Sequence, residues 1–151
     1  MLSDYLITIL WSISPLGEAR VGIPVGVGNG LPLIVAFAVG LASNLMVFPV
    51  FYNLIDFFNK QFWSSRAYRQ RVVNMTRRAK KGTEKVVQKY GFIGLMLFVM
   101  IPLPFTGAYM GTISAYLFRF EQRKAFLAVS LGVTISCVIV FLVTYLGVKA
   151  F

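Results

Sequence analysis

Four apolar runs of two different lengths limit what this chain can become. Leu31 to Phe58 and Ala125 to Val148 are each long enough to cross a bilayer, since about 30 Å of hydrocarbon takes roughly 20 helical residues. Tyr5 to Ile13 and Phe92 to Ile101 are about half that length, or about 15 Å of helix at 1.5 Å per residue. Each short run then meets a Pro/Gly-rich stretch, PLGEARVGIPVGVGNG over 15–30 and PLPFTGAYMGT over 102–112. Proline inside a helix removes a donor and clashes with the preceding turn. The expected outcome is a break near the bilayer centre and a re-entrant hairpin in each half.

Composition agrees with a membrane class. Of 151 residues, 58% are hydrophobic and 13% charged, and a backbone in lipid has to satisfy itself as helix or closed barrel. Strands alternating apolar and polar residues are absent, so the expected fold is an all-α integral membrane protein. The chain has no histidine and one cysteine, Cys137. A disulfide, a zinc site and a Cys/His catalytic pair are thereby excluded within one chain, and neither a metal nor a cofactor is expected. The N-terminal MLSDYLITILWSIS lacks a basic leading region and a small-residue cleavage site, so it is expected to be retained.

Between the halves, residues 59–90 carry ten Lys/Arg and one acid, Glu84. The positive-inside rule places this stretch in the cytoplasm; anionic lipid headgroups can share it, and nucleic acid is not an expected partner. Val72, Thr76, Ala79, Thr83, Val86 and Tyr90 recur at helical spacing, which predicts a helix with a thin apolar seam. With that loop inside, both termini fall outside. The expected organisation is one membrane domain: a first repeat over 1–58 with hairpin 3–30 and span 31–58, the basic segment 59–90, and a second repeat over 91–151 with hairpin 91–118 and span 125–148. The halves run in opposite directions, an inverted repeat. A residue-level echo accompanies it, in that Gly40 precedes Asn44 by four residues and Gly132 precedes Ser136 by four. Paired broken segments in two inverted halves mark the substrate site of many transporters.

The candidate site residues follow from these breaks. Glu18 and Arg20 are ionisable groups in an apolar setting, which costs at least about 2.5 kcal/mol each and signals a cavity or a partner. Residues two apart do not face one another on a helix. The pair therefore requires either a non-helical backbone at Gly17, Gly22 and Pro24, or separate partners. Glu18 can exchange a proton, and Arg20 can hold an anion through its planar fork. In the second break, Thr106, Tyr109 and Thr112 offer hydroxyls, while Gly107 and Gly111, read as unwound, offer amides. Asn44 and Ser43 lie mid-span, Asp56 near the inner interface, and Pro49 is expected to kink the first span.

EARVGIP and PLPFTGAYMGT resemble the motifs of the small multidrug export protein family, which is in turn similar to the DedA/VTT superfamily. Glu18, Arg20 and Pro24 match the first motif. Pro102, Pro104, Thr106, Gly107, Ala108 and Gly111 match the second, with departures at Val21, Phe105, Tyr109 and Met110. The superfamily resemblance implies facing re-entrant hairpins, proton-dependent membrane homeostasis and movement of polyprenyl-phosphate or other lipids. The expected function is then a proton-coupled transporter or translocase of an anionic amphipath. The alternatives are an exporter of amphipathic cations with Tyr109, Phe105 and Trp11 as an aromatic wall, and a non-transporting scaffold. An enzyme is not expected, because the charges are too few for a catalytic set. A homo-oligomer in the plasma membrane, most simply a homodimer, completes the expectation.

Overall fold

A computed structural model describes residues 2–62, 66, 70, 74, 89–101 and 107–150. Helices α1 (Leu2–Ile13), α2 (Glu18–Gly28) and α3 (Leu33–Phe62) form the first half. Helices α4 (Lys89–Met100), α5 (Ala108–Leu117) and α6 (Gln122–Ala150) form the second. Among the described residues the order short, short, long thus occurs twice. At 1.5 Å per residue the short helices are about 15 to 18 Å long and the long ones about 45 Å, and α3 and α6 are the two long and apolar enough to cross a membrane. Of the apolar seam expected in the basic segment, only Tyr90 falls among the described residues. It is exposed near the start of α4.

Small residues set the packing. A Cβ added at Gly22 on α2 would overlap the Ser12 hydroxyl of α1 and lie 3.0 Å from the Thr8 carbonyl, and one at Gly26 would lie 2.6 Å from the Thr8 hydroxyl. Advancing along α2 therefore means retreating along α1, so the two form an antiparallel pair in close backbone approach. Gly40 of α3 receives Ile23 of α2, and Gly132 of α6 receives Val99 and the Met96 carbonyl of α4. The long helices also run antiparallel, because Phe37 meets Phe141 at one level while Phe48 meets Phe126 at another.

The surface reverses the soluble pattern. Leu6, Ile34, Met46, Val50, Leu142 and Leu146 are exposed, whereas Thr8, Ser12, Glu18, Asn44, Thr112, Ser114 and Ser136 are buried. An apolar exterior over an interior that holds the polar groups is what a hydrocarbon solvent selects. The molecule is a helical membrane protein.

One expectation needs correction. The stretch 15–30 is not a broken arm throughout, because only residues 14–17 and 29–30 leave the helix and α2 runs helically through Gly22 and Pro24 between them. Pro24 forfeits one hydrogen bond, to the Arg20 carbonyl. Gly22 and Ile23 meanwhile pack against α1 and α3, and neighbouring helices commonly hold such a segment in a membrane protein. The helix α3 likewise continues through Pro49. The two short helices that precede the long ones end alike. Gly30 (φ +94°) and Arg119 (φ +54°) adopt the left-handed conformation, and the next residue's amide returns to the helix, Leu31 N–H to Gly26 and Phe120 N–H to Ala115, each at 3.0 Å.

Close approach at Gly22 yields a prediction. Gly22→Val inserts three carbons where backbone and hydroxyl of α1 already stand, at a cost of about 1–3 kcal/mol or more. Gly28→Ala, with nothing within 4 Å of the new Cβ, is expected to be neutral. Thermal unfolding in detergent should separate the two variants by several degrees.

Candidate functional site

Glu18 opens α2 at φ +53°, a left-handed backbone that a residue with a Cβ adopts only at a cost. From there its side chain reaches the other half of the molecule. The carboxylate accepts hydrogen bonds from the backbone N–H groups of Ala108 and Tyr109 and from the side-chain amide of Asn44. Those two amides are the first of α5, whose cap residue Gly107 offers no side chain. A helix N-terminus carries unpaired donors and a partial positive charge, so Glu18 acts as the missing cap from across the interface. Gly107 is required there, since a Cβ on it would overlap the carboxylate.

Arg20 does the converse. Its Nη2 donates to the Val99 carbonyl at 3.0 Å, one residue before α4 ends, and its Nε donates to Ser136 Oγ of α6 at 3.1 Å. A cation on a helix C-terminus is the favoured partner of the opposite dipole end. Glu18 and Arg20 also attract each other through space, and the hydrogen bonds to Val99 and Ser136 join the halves. The Tyr109 hydroxyl donates to the carbonyl of Ile13, the last residue of α1. Three short helices thus have ends satisfied by side chains from the opposite half.

The expected site residues fall into distinct groups. Glu18, Asn44, Gly107 and Tyr109 converge on one carboxylate, while Arg20 lies in the same interface on different ligands. Pro24 faces outward on α2. Gly111 is helical rather than unwound; its amide bonds to the Gly107 carbonyl and its open side receives Val99 and Val129. The Thr112 hydroxyl is spent on the Ala108 carbonyl of its own helix at 2.6 Å. Trp11 lies against Gly17, and the Tyr109 ring meets Phe51 edge-on at 4.9 Å. Asp56 pairs with Lys60 at 2.7 Å on the exposed surface, which a solvated helix-end charge implies. Pro102, Pro104, Phe105 and Thr106 lie outside the described residues.

Sequence reasoning missed the roles of Ser136, Val99 and Ile13. Two of these act through backbone carbonyls, which carry no residue signature. Ser136 had one: the glycine-plus-four echo pairs it with Asn44, and these two side chains receive Arg20 and Glu18 respectively. Gly107→Ala is expected to destabilise the fold by about 1–3 kcal/mol through overlap with the carboxylate. The same substitution in a Glu18→Ala background should cost much less, because the overlapping atoms are gone. Chemical unfolding in detergent micelles reads this non-additivity.

The comparisons can now be set beside this geometry. A family model described as "Putative small multi-drug export protein" matches residues 18–139, a stretch that begins at Glu18 and includes Arg20, Asn44, Gly107 and Ser136. The match gives no evidence of a relation to the DedA/VTT superfamily. No curated protein and no solved structure matches the chain. On a match over most of its length, the chain belongs to the small multi-drug export protein family.

Proposed function

We propose that this protein exports small amphipathic cations across the cell membrane and that Glu18 is the counter-charge the substrate meets. The placement of Glu18 carries the reading: a carboxylate 6% exposed, at the junction of the two halves, held by the end of a short helix. An acid so placed can exchange a proton or an organic cation, and either event weakens its hold on the α5 terminus. Arg20 serves as a tie in this reading, since its guanidinium is engaged by Val99 and Ser136. The family description names export and agrees with this reading better than with an anionic substrate.

The pairs α1–α2 and α4–α5 are, in this proposal, re-entrant hairpins that open to opposite sides. Their short helices, the antiparallel long helices and the repeated order of elements support an inverted repeat. The basic segment faces the cytoplasm by the positive-inside rule and the termini face outward. Proton exchange at Glu18 drives export, and two copies of the chain enclose the pathway.

A second reading rests on a different observation. The α5 N-terminus is itself an anion site, occupied by Glu18, and a lipid phosphate that displaced the carboxylate would suit a translocase. Substrate sign separates the two readings. Purified protein in liposomes with a pH gradient is expected to move rhodamine 6G, and Glu18→Gln should reduce movement to the protein-free background while remaining monodisperse. Undiminished movement by Glu18→Gln contradicts the export reading, and competition by a short-chain polyprenyl phosphate but by no cation favours the second.

A further inference from the structure

Asn44 is 2% exposed, and its side chain is only half used. The amide nitrogen donates to Glu18, while Oδ1 has no hydrogen-bond partner. A buried acceptor left without a donor is destabilising, and native interiors hold few of them. The carboxylate beside it is an acceptor-only group when ionised. An unfilled acceptor and a carboxylate thus belong to side chains already in contact, at the junction of α2, α3 and α5.

From this pairing we infer that the Glu18–Asn44 site recognises cations that carry N–H groups, protonated primary, secondary or tertiary amines, in preference to quaternary ammonium ions of the same shape. An ammonium N–H can donate to the carboxylate, and where two are present the second can donate to Oδ1. A quaternary head offers charge and methyl groups, gives the carboxylate no donor and leaves Oδ1 unfilled. Both side chains are enclosed in the state described, so the amine reaches them when the contacts between the halves part. The contact with Glu18 is then exchanged for one with the substrate, and the Oδ1 left unmade at rest gains its partner.

The inference rests on the export reading and is tested separately from it. Rhodamine 6G bound to the purified protein in detergent is followed by fluorescence anisotropy. It is displaced with 4-phenylbutylamine, its N-methyl and N,N-dimethyl derivatives, and its N,N,N-trimethyl analogue, all cationic at pH 7. The expected result is displacement by the primary and secondary amines at about tenfold lower concentration than by the trimethyl compound, the magnitude of one charge-assisted hydrogen bond. The dimethyl compound, with a single N–H for the carboxylate, should fall between; Asn44→Leu, judged by ratios within that variant, should bring the primary and secondary amines down to the advantage the dimethyl compound keeps, and Asn44→Ser, which keeps an acceptor, should restore part of the difference. Should Asn44→Leu fail to fold, the ratio in the unaltered protein decides alone. Equal displacement by all four compounds overturns the inference while leaving the export reading intact, and a water filling the Oδ1 site would give that result. Failure of every cation to displace the dye removes both.

Discussion

A helix that ends in an apolar surrounding leaves donors at its N-terminus and acceptors at its C-terminus without water to meet them. This chain has short helices whose ends meet the opposite half, and at three of them a side chain from that half supplies the partner. Glu18 covers the first amides of α5, Arg20 the Val99 carbonyl of α4, and Tyr109 the Ile13 carbonyl of α1. Charge and dipole agree in sign at both ionic contacts. The two charges are therefore kept in the interior because the backbone of the other half requires them.

That arrangement dictates the packing around it. For a side chain as short as glutamate to reach another helix terminus, the helices have to approach closely. Gly22, Gly26, Gly40, Gly111 and Gly132 remove the obstructing Cβ atoms at the crossings, and Gly107 removes the one directly under the carboxylate. Alanines at 19, 108, 115, 125 and 128 continue this small-residue interior. Many larger apolar side chains, Leu6, Ile34, Met46, Val50, Leu142 and Leu146 among them, face outward, where lipid receives them, while Phe48, Ile23 and Leu95 fill the interior. The left-handed backbone at Glu18 fits the same logic, since local strain of this kind persists only where surrounding contacts determine it. A tie built from a few directed contacts between two bodies also has two states, made and parted, and this is the property the export proposal uses.

Much of this was legible in the residues. The two long helices, the short ones and the membrane class follow from run lengths, and Glu18, Arg20, Asn44, Gly107 and Tyr109 follow from polar groups placed where lipid should exclude them. The reading failed where one residue type serves two ends. Gly22 and Pro24 read as helix breakers; α2 continues through both, and Gly22 serves close packing instead. Gly111 reads as unwound, and it is helical for the same reason. Partners that are backbone groups, such as the Val99 and Ile13 carbonyls, have no letter in the sequence and emerge only from the fold. The contact of Arg20 with Ser136 depends on which helix face meets which, and composition does not encode that.

The claim that interior charges tie one half to the other is most directly tested by a double-mutant cycle between Arg20→Met and Ser136→Ala, read as unfolding free energy in detergent. Groups in contact show interaction energies of about 0.5–3 kcal/mol, and a charge-assisted hydrogen bond belongs in the upper part of that range. A coupling of about 1 kcal/mol or more is the predicted result. Additivity of the two substitutions to within about 0.3 kcal/mol would mean that Arg20 does not hold α6, and would contradict the account.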